Sequence, residues 1–199
     1  MKSQWLIKSG FFIPILFWTT TFICGFLMPG YNHVNRLVSE LGEIGTKTQY
    51  LFTIGLVLTT IISIFFNIGL FRICKKNGLN IIPILILWTF SFSVLGAGIF
   101  PYPLRLHGLL GSPSIILFLS PLAALVFWKN TVIAHIKVIS LLTLIIMMLG
   151  FLVFLPDFFS NYLGLKQRLF HFGWTLWFLS LSFIFNGMNN RIAKPERYT

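Results

Sequence analysis

His33, His107 and His171 are the side chains of this sequence best suited to hold a transition metal. Neutral imidazole is a common zinc ligand, and three of them leave a fourth position open for water. Glu40, next to Ser39, would then act as general base on that water, and Glu40 and Ser39 form the candidate catalytic pair. Arg36, Arg105 and Arg168 are the candidates for holding an anionic headgroup. Together these groups would describe a zinc-dependent membrane hydrolase acting on lipid-type substrates. No local ligand spacing such as H-E-x-x-H occurs in the chain, so the zinc reading rests on three scattered histidines. Without a metal, the arginines describe an outward-facing polar pocket for an anionic lipid-like or small ligand, which is the leading expectation. In a third reading Arg36, Arg105 and Arg168 pair with Glu40, Glu43 and Asp157 as a lid over a structural or sensory membrane subunit.

The densest of these positions lie in Gly30 to Gly45, G-Y-N-H-V-N-R-L-V-S-E-L-G-E-I-G. The segment separates two long apolar runs and carries two of the four acidic residues of the chain. Read as a helix, it places Val34, Leu37, Val38 and Leu41 at i, i+3, i+4 and i+7 on one face. His33, Arg36 and Glu40 then lie on the opposite arc, with Arg36 and Glu40 spaced to pair. The spacing predicts a short interfacial helix after the first span.

Only 10% of the 199 residues are charged and 56% are hydrophobic. A soluble domain carries about 25% charged residues. The formal charge of +11 is scattered between apolar runs and forms no basic stripe, which argues against a nucleic-acid partner. The predicted fold is an all-α integral membrane protein, a bundle of six transmembrane helices in one domain. The spans fall at about 11–28, 50–71, 81–100, 114–128, 138–155 and 170–188. A helix needs about 20 residues to cross the hydrocarbon core, and barrel strands would be half that length and would alternate. The first run ends in Met28-Pro29-Gly30, a poor cleavage site, and reads as a retained span. Cys24 and Cys74 would lie near opposite membrane faces, too far apart for a disulfide.

Charge sets the orientation. Lys2, Lys8, Arg72, Lys75, Lys76, Lys129, Lys137, Arg191, Lys194 and Arg197 share one side with a single acid, Glu196. Arg36, Lys47, Arg105, Lys166 and Arg168 share the other with Glu40, Glu43 and Asp157. An excess of Lys and Arg marks the cytoplasmic side, so both termini are expected inside. The segments carrying the candidate residues then face outward.

Three short features carry a resemblance: P-G-Y-N-H-V-N-R-L-V-S-E-L-G at 29–42, I-F-P-Y-P-L-R-L-H-G-L-L-G at 99–111, and G-L-K-Q-R-L at 164–169. Together they resemble a bacterial family of six-span membrane proteins known as a domain of unknown function, DUF998. The resemblance runs from the first span to the last. In the second feature the family often has Cys-Asp after Phe-Pro, where this chain has Tyr102-Pro103. The resemblance implies a six-helix topology and the bacterial inner membrane, and it implies no activity.

Overall fold

A computed structural model describes residues 2–155 and 157–193, with side chains for 4–155 and 157–188. Pro156, the tail 194–199 and the side chains of Lys2 and Arg191 lie outside the described parts, and the charge argument built on them is not examined by the structure. The helices are α1 (Lys2–Leu27), α2 (Gln49–Lys76), α3 (Ile82–Ile99), α4 (Arg105–Gly111), α5 (Leu119–Phe127), α6 (Ile136–Gly150) and α7 (Leu163–Ala193). No strand occurs among the described residues. Helix α4 runs through a 3-10 stretch, Ser112–Phe118, into α5. Counting that run as one, six helices among the described residues are long and apolar enough to cross a membrane.

Helix α1 packs along α2 and α7, α2 along α3, and α6 along α5 and α7. The centre is aromatic: Phe66, Phe90, Trp174, Trp177, Phe178 and Phe185 are fully buried or nearly so. Outward faces are apolar as well, with Phe26, Phe65, Phe92, Val126 and Phe183 exposed. That pattern, apolar inside and out, suits hydrocarbon as the surrounding solvent.

Since lipid is as apolar as the core, polar contacts and close packing must help hold the helices together. Ser120 Oγ–H donates to Pro83 O at 2.8 Å and accepts from Trp177 Nε1–H at 2.8 Å, joining α3, α5 and α7. Trp18 Nε1–H donates to Thr175 Oγ1 at 2.9 Å, tying α1 to α7. Ser63 and Ser91 hydroxyls meet at 2.7 Å, and Asn67 Nδ2–H donates to Ser91 Oγ at 3.1 Å, between α2 and α3. Cys24 and Cys74 are both buried and free.

Three boundaries differ from the sequence reading. The 30–45 segment is not a helix of two turns: turns lead into a 3-10 stretch, Val38–Gly42, and Leu37 is extended at φ −66°, ψ 150°. Side chains have taken the backbone donors that a helix would use. Asn32 Oδ1 accepts from Val34 N–H, Glu40 Oε1 from Leu37 N–H, and Gln167 Oε1 from Val38 N–H. Val38 and Leu41 are buried, whereas Val34 is exposed. The fourth span begins at Arg105 instead of about 114, because Gly111-Ser112-Pro113 tightens the helix without ending it. Pro113 sits at the start of the 3-10 stretch, where its missing N–H costs nothing. The sixth begins near Ser160, which puts Lys166 and Arg168 on the helix itself.

Candidate functional site

Two of the three sequence features close on each other. The start of α7 clasps the segment 31–38. Leu165 N–H donates to Val34 O at 2.9 Å, and Val38 N–H to Gln167 Oε1 at 2.7 Å. Arg168, only 8% exposed, fills the gap between them. Its Nη1 donates to Arg36 O and Gly164 O, both at 3.0 Å. Its Nη2 donates to Tyr31 Oη at 2.7 Å and to His33 Nδ1 at 3.0 Å. Tyr31 Oη–H passes the chain on to Leu37 O at 2.8 Å. The guanidinium thus meets only neutral acceptors, and among the described residues it has no carboxylate partner. Gly164 makes this approach feasible, since a Cβ there would run into Arg36 O, Arg168 Nη1 and His33 O.

The same contacts set the electrostatics of the clasp. Because His33 Nδ1 accepts from Arg168, its ring proton belongs on Nε2. Burial first, and the Arg168 charge second, hold the His33 pKa below its usual value. Burial pushes the Tyr31 phenol upward, against the opposing pull of Arg168. Arg36 turns the other way, to Glu40 Oε2 at 2.6 Å, and reaches Glu43 at 4.0 Å. Lys166, 3% exposed, donates to Leu155 O and Phe158 O, both at 2.8 Å, and pins the preceding loop.

Beside the clasp lies a cavity of about 230 Å³. Phe17, Phe52, Phe90, Phe170 and Trp174 line it with aromatic surface. Ser39, Ser93, His107, Ser112, Ser114, Gln167 and His171 supply its polar groups. Gln167 and Val38 belong to both assemblies. The third sequence feature enters here. His107 Nδ1 lies 2.8 Å from Phe100 O and 3.2 Å from Ala97 O, and Ile44 N–H donates to Tyr102 O at 2.9 Å. His171 stands edge-on to Phe17 and Trp174. Its Nδ1 is buried with no hydrogen-bond partner, and so is Ser93 Oγ.

The expected site residues therefore separate. Ser39, His107 and His171 line the cavity. Arg36, Glu40, His33 and Arg168 belong to the clasp. Arg105 is exposed at the start of α4 and lines no part of the cavity, and Asp157 is exposed and unpaired within 4 Å among the described residues. No three or more His, Cys, Asp or Glu side chains among the described residues stand together as a metal-binding group. His33 in particular has its Nδ1 lone pair committed to Arg168. The sequence reading missed Ser93, Gln167 and Trp174. Ser93 had a visible signal, a hydroxyl in the otherwise apolar run F-S-F-S of the third span.

Fold and site together define an all-α membrane protein whose helix bundle holds a partly polar cavity near a clasp of irregular backbone. The model of the family DUF998, protein of unknown function, matches residues 12–184, and the chain belongs to that family. No curated protein and no solved structure matches it.

Proposed function

We propose that this protein is a bacterial inner-membrane binding protein that takes a small amphiphilic ligand into its cavity from the outer side of the membrane. One observation carries the reading: Ser93 and His171 line one aromatic cavity, and each holds a buried polar atom, Ser93 Oγ and His171 Nδ1, that has no hydrogen-bond partner among the described residues. A buried polar group without a partner costs about 1–3 kcal/mol, so a ligand to which the Ser93 hydroxyl or the His171 ring turns recovers much of its own desolvation. The aromatic surface supplies the apolar contact, as is usual in small-molecule sites. The arginines do not carry this reading. Arg168 spends its Nη donors on the clasp, Arg36 faces Glu40, and Arg105 lies off the wall.

Gly108 gives the test. It lines the cavity, and a Cβ added there meets nothing within 4 Å. Gly108→Phe should narrow the cavity without disturbing the bundle. Protein purified in lipid nanodiscs should carry about one extractable amphiphile per chain by mass spectrometry, beyond the disc lipid. The Gly108→Phe variant, with the same melting temperature, should carry none. Equal extracts from the two proteins, or nothing beyond disc lipid in either, would overturn the reading.

A further inference from the structure

The cavity wall also constrains the chemistry of the ligand. The argument rests on the binding function proposed above and narrows it to one class. His107 Nδ1 faces two backbone carbonyls, Phe100 O at 2.8 Å and Ala97 O at 3.2 Å. Carbonyl oxygens only accept, so Nδ1 must carry the ring proton. Nε2 is then a bare acceptor, with no donor to it among the described residues. This is the usual way a histidine is fixed in one tautomer, through the hydrogen bond of its other nitrogen. The ligand therefore needs an O–H or N–H to offer.

On the donor side, Trp174 Nε1–H and Ser93 Oγ–H have no hydrogen-bond acceptor among the described residues, and both residues line the cavity; the Ser93 oxygen is buried and meets a ligand by turning about its Cα–Cβ bond. A ligand group that both donates and accepts answers all of these. Among the described residues no Lys, Arg, Asp or Glu lines the cavity. The guanidinium of Arg168 has its four Nη–H groups engaged in the clasp, and Arg168 is not among the residues that line the cavity. A carboxylate, sulfate or phosphate would be stripped of water with no cation to meet it, and it would leave His107 Nε2 without a donor. An ammonium would lack a carboxylate.

We infer that the cavity selects a neutral, hydroxyl-bearing amphiphile, with His107 Nε2 accepting from the ligand hydroxyl and Ser93 and Trp174 donating to it. The volume of about 230 Å³ holds the head and roughly seven further heavy atoms, at about 30 Å³ per water-sized group. The rest of a longer chain would leave through the mouth beside Gly108 and Ser112, both exposed.

The experiment is equilibrium dialysis of tritiated 1-decanol and of decyl sulfate against the full chain in nanodiscs, with empty nanodiscs subtracting partition into lipid. Decanol should saturate near one per chain, and decyl sulfate should bind at least tenfold more weakly. His107→Asn keeps a donor for the two carbonyls and removes the Nε2 acceptor. It should weaken decanol about fivefold to tenfold at unchanged melting temperature, the loss of one hydrogen bond. Ser93→Ala is a second variant with the same expectation, because it deletes a hydroxyl with no protein partner. If neither probe saturates, the binding function itself falls. If decyl sulfate binds as well as decanol or better, or if both variants bind decanol unchanged, the cavity binds ligands but the hydroxyl assignment is overturned.

Discussion

Replacing Gly164 with alanine tests the clasp at its tightest point. A Cβ at 164 would stand 2.7 Å from Arg168 Nη1 and from His33 O, and nearer still to Arg36 O. Two of these three atoms belong to the backbone of the 31–38 segment, so a rotamer change cannot relieve the collision. The segment must move off α7 by roughly 1 Å to restore ordinary contact near 3.5–4.0 Å. That displacement stretches Leu165 N–H to Val34 O from 2.9 Å, Arg168 Nη1 to Arg36 O from 3.0 Å, and Val38 N–H to Gln167 Oε1 from 2.7 Å, all past a useful length. Three hydrogen bonds at about 1 kcal/mol each make a loss of about 3 kcal/mol. Alanine returns less than about 1 kcal/mol through helix propensity. A net loss of about 2 kcal/mol lowers the melting temperature by about 4–8 °C for a chain of this size. The assay is thermal unfolding in mild detergent followed by tryptophan fluorescence. Gly187→Ala on the same helix is the control, since its Cβ meets nothing within 4 Å. It should leave the melting temperature unchanged or raise it slightly. A Gly164→Ala protein that melts with or above the wild type would refute the account of the clasp.

The other expectations concern hydroxyls, protons and orientation. Ser120→Ala strands Trp177 Nε1–H in the core and should cost about 1–3 kcal/mol, read as a lower melting temperature. Ser93→Ala removes a hydroxyl that bonds nothing in the protein and should leave the melting temperature unchanged or higher, so equal losses in the two variants would contradict the buried polar assignments. His33 has a folded pKa below its ordinary 6.5, so the unfolded chain binds the proton first. Its stabilising share is complete above about pH 6.5 and is lost as pH falls below that value. The melting temperature should therefore drop between pH 7.5 and 5.5, and His33→Gln, which keeps an acceptor for Arg168, should show a smaller drop over that range. For orientation, an alkaline phosphatase fused after Lys47 should be active and one fused after Lys76 inactive, and the reverse pattern would invert the proposed outward face.

The six apolar runs were readable because membrane spans depend on length and composition alone, and each run is near the thickness it must cross. The importance of the three polar features was also readable, since dense polar residues between lipid-compatible runs need partners. Their actual partners were not. Periodicity suggested a helix for 34–41, but it could not show that Gln167, well over a hundred residues away, would take the N–H of Val38. Arg168 looked like a ligand-binding cation because charge is visible in sequence, and the contacts of its Nη groups with Arg36 O, Gly164 O, Tyr31 and His33 are not. His107 was legible as a candidate, yet its tautomer depends on two carbonyls at the end of α3 that only the folded chain brings to it.

The clasp also orders events in time. Residues 31–38 leave the ribosome long before 164–168, and among the described residues nothing within α1 to α6 supplies the Arg168 donors or the Gln167 acceptor that meet them. Until α7 is in place, Arg36 O lacks its Arg168 donor and Val38 N–H its acceptor, so this rim stays unpaired. Closure of this long loop is the slow, non-local step that topology imposes. Chains stalled or truncated before α7 would carry that unpaired rim, a mark by which a surveillance protease could tell an unfinished copy from a finished one.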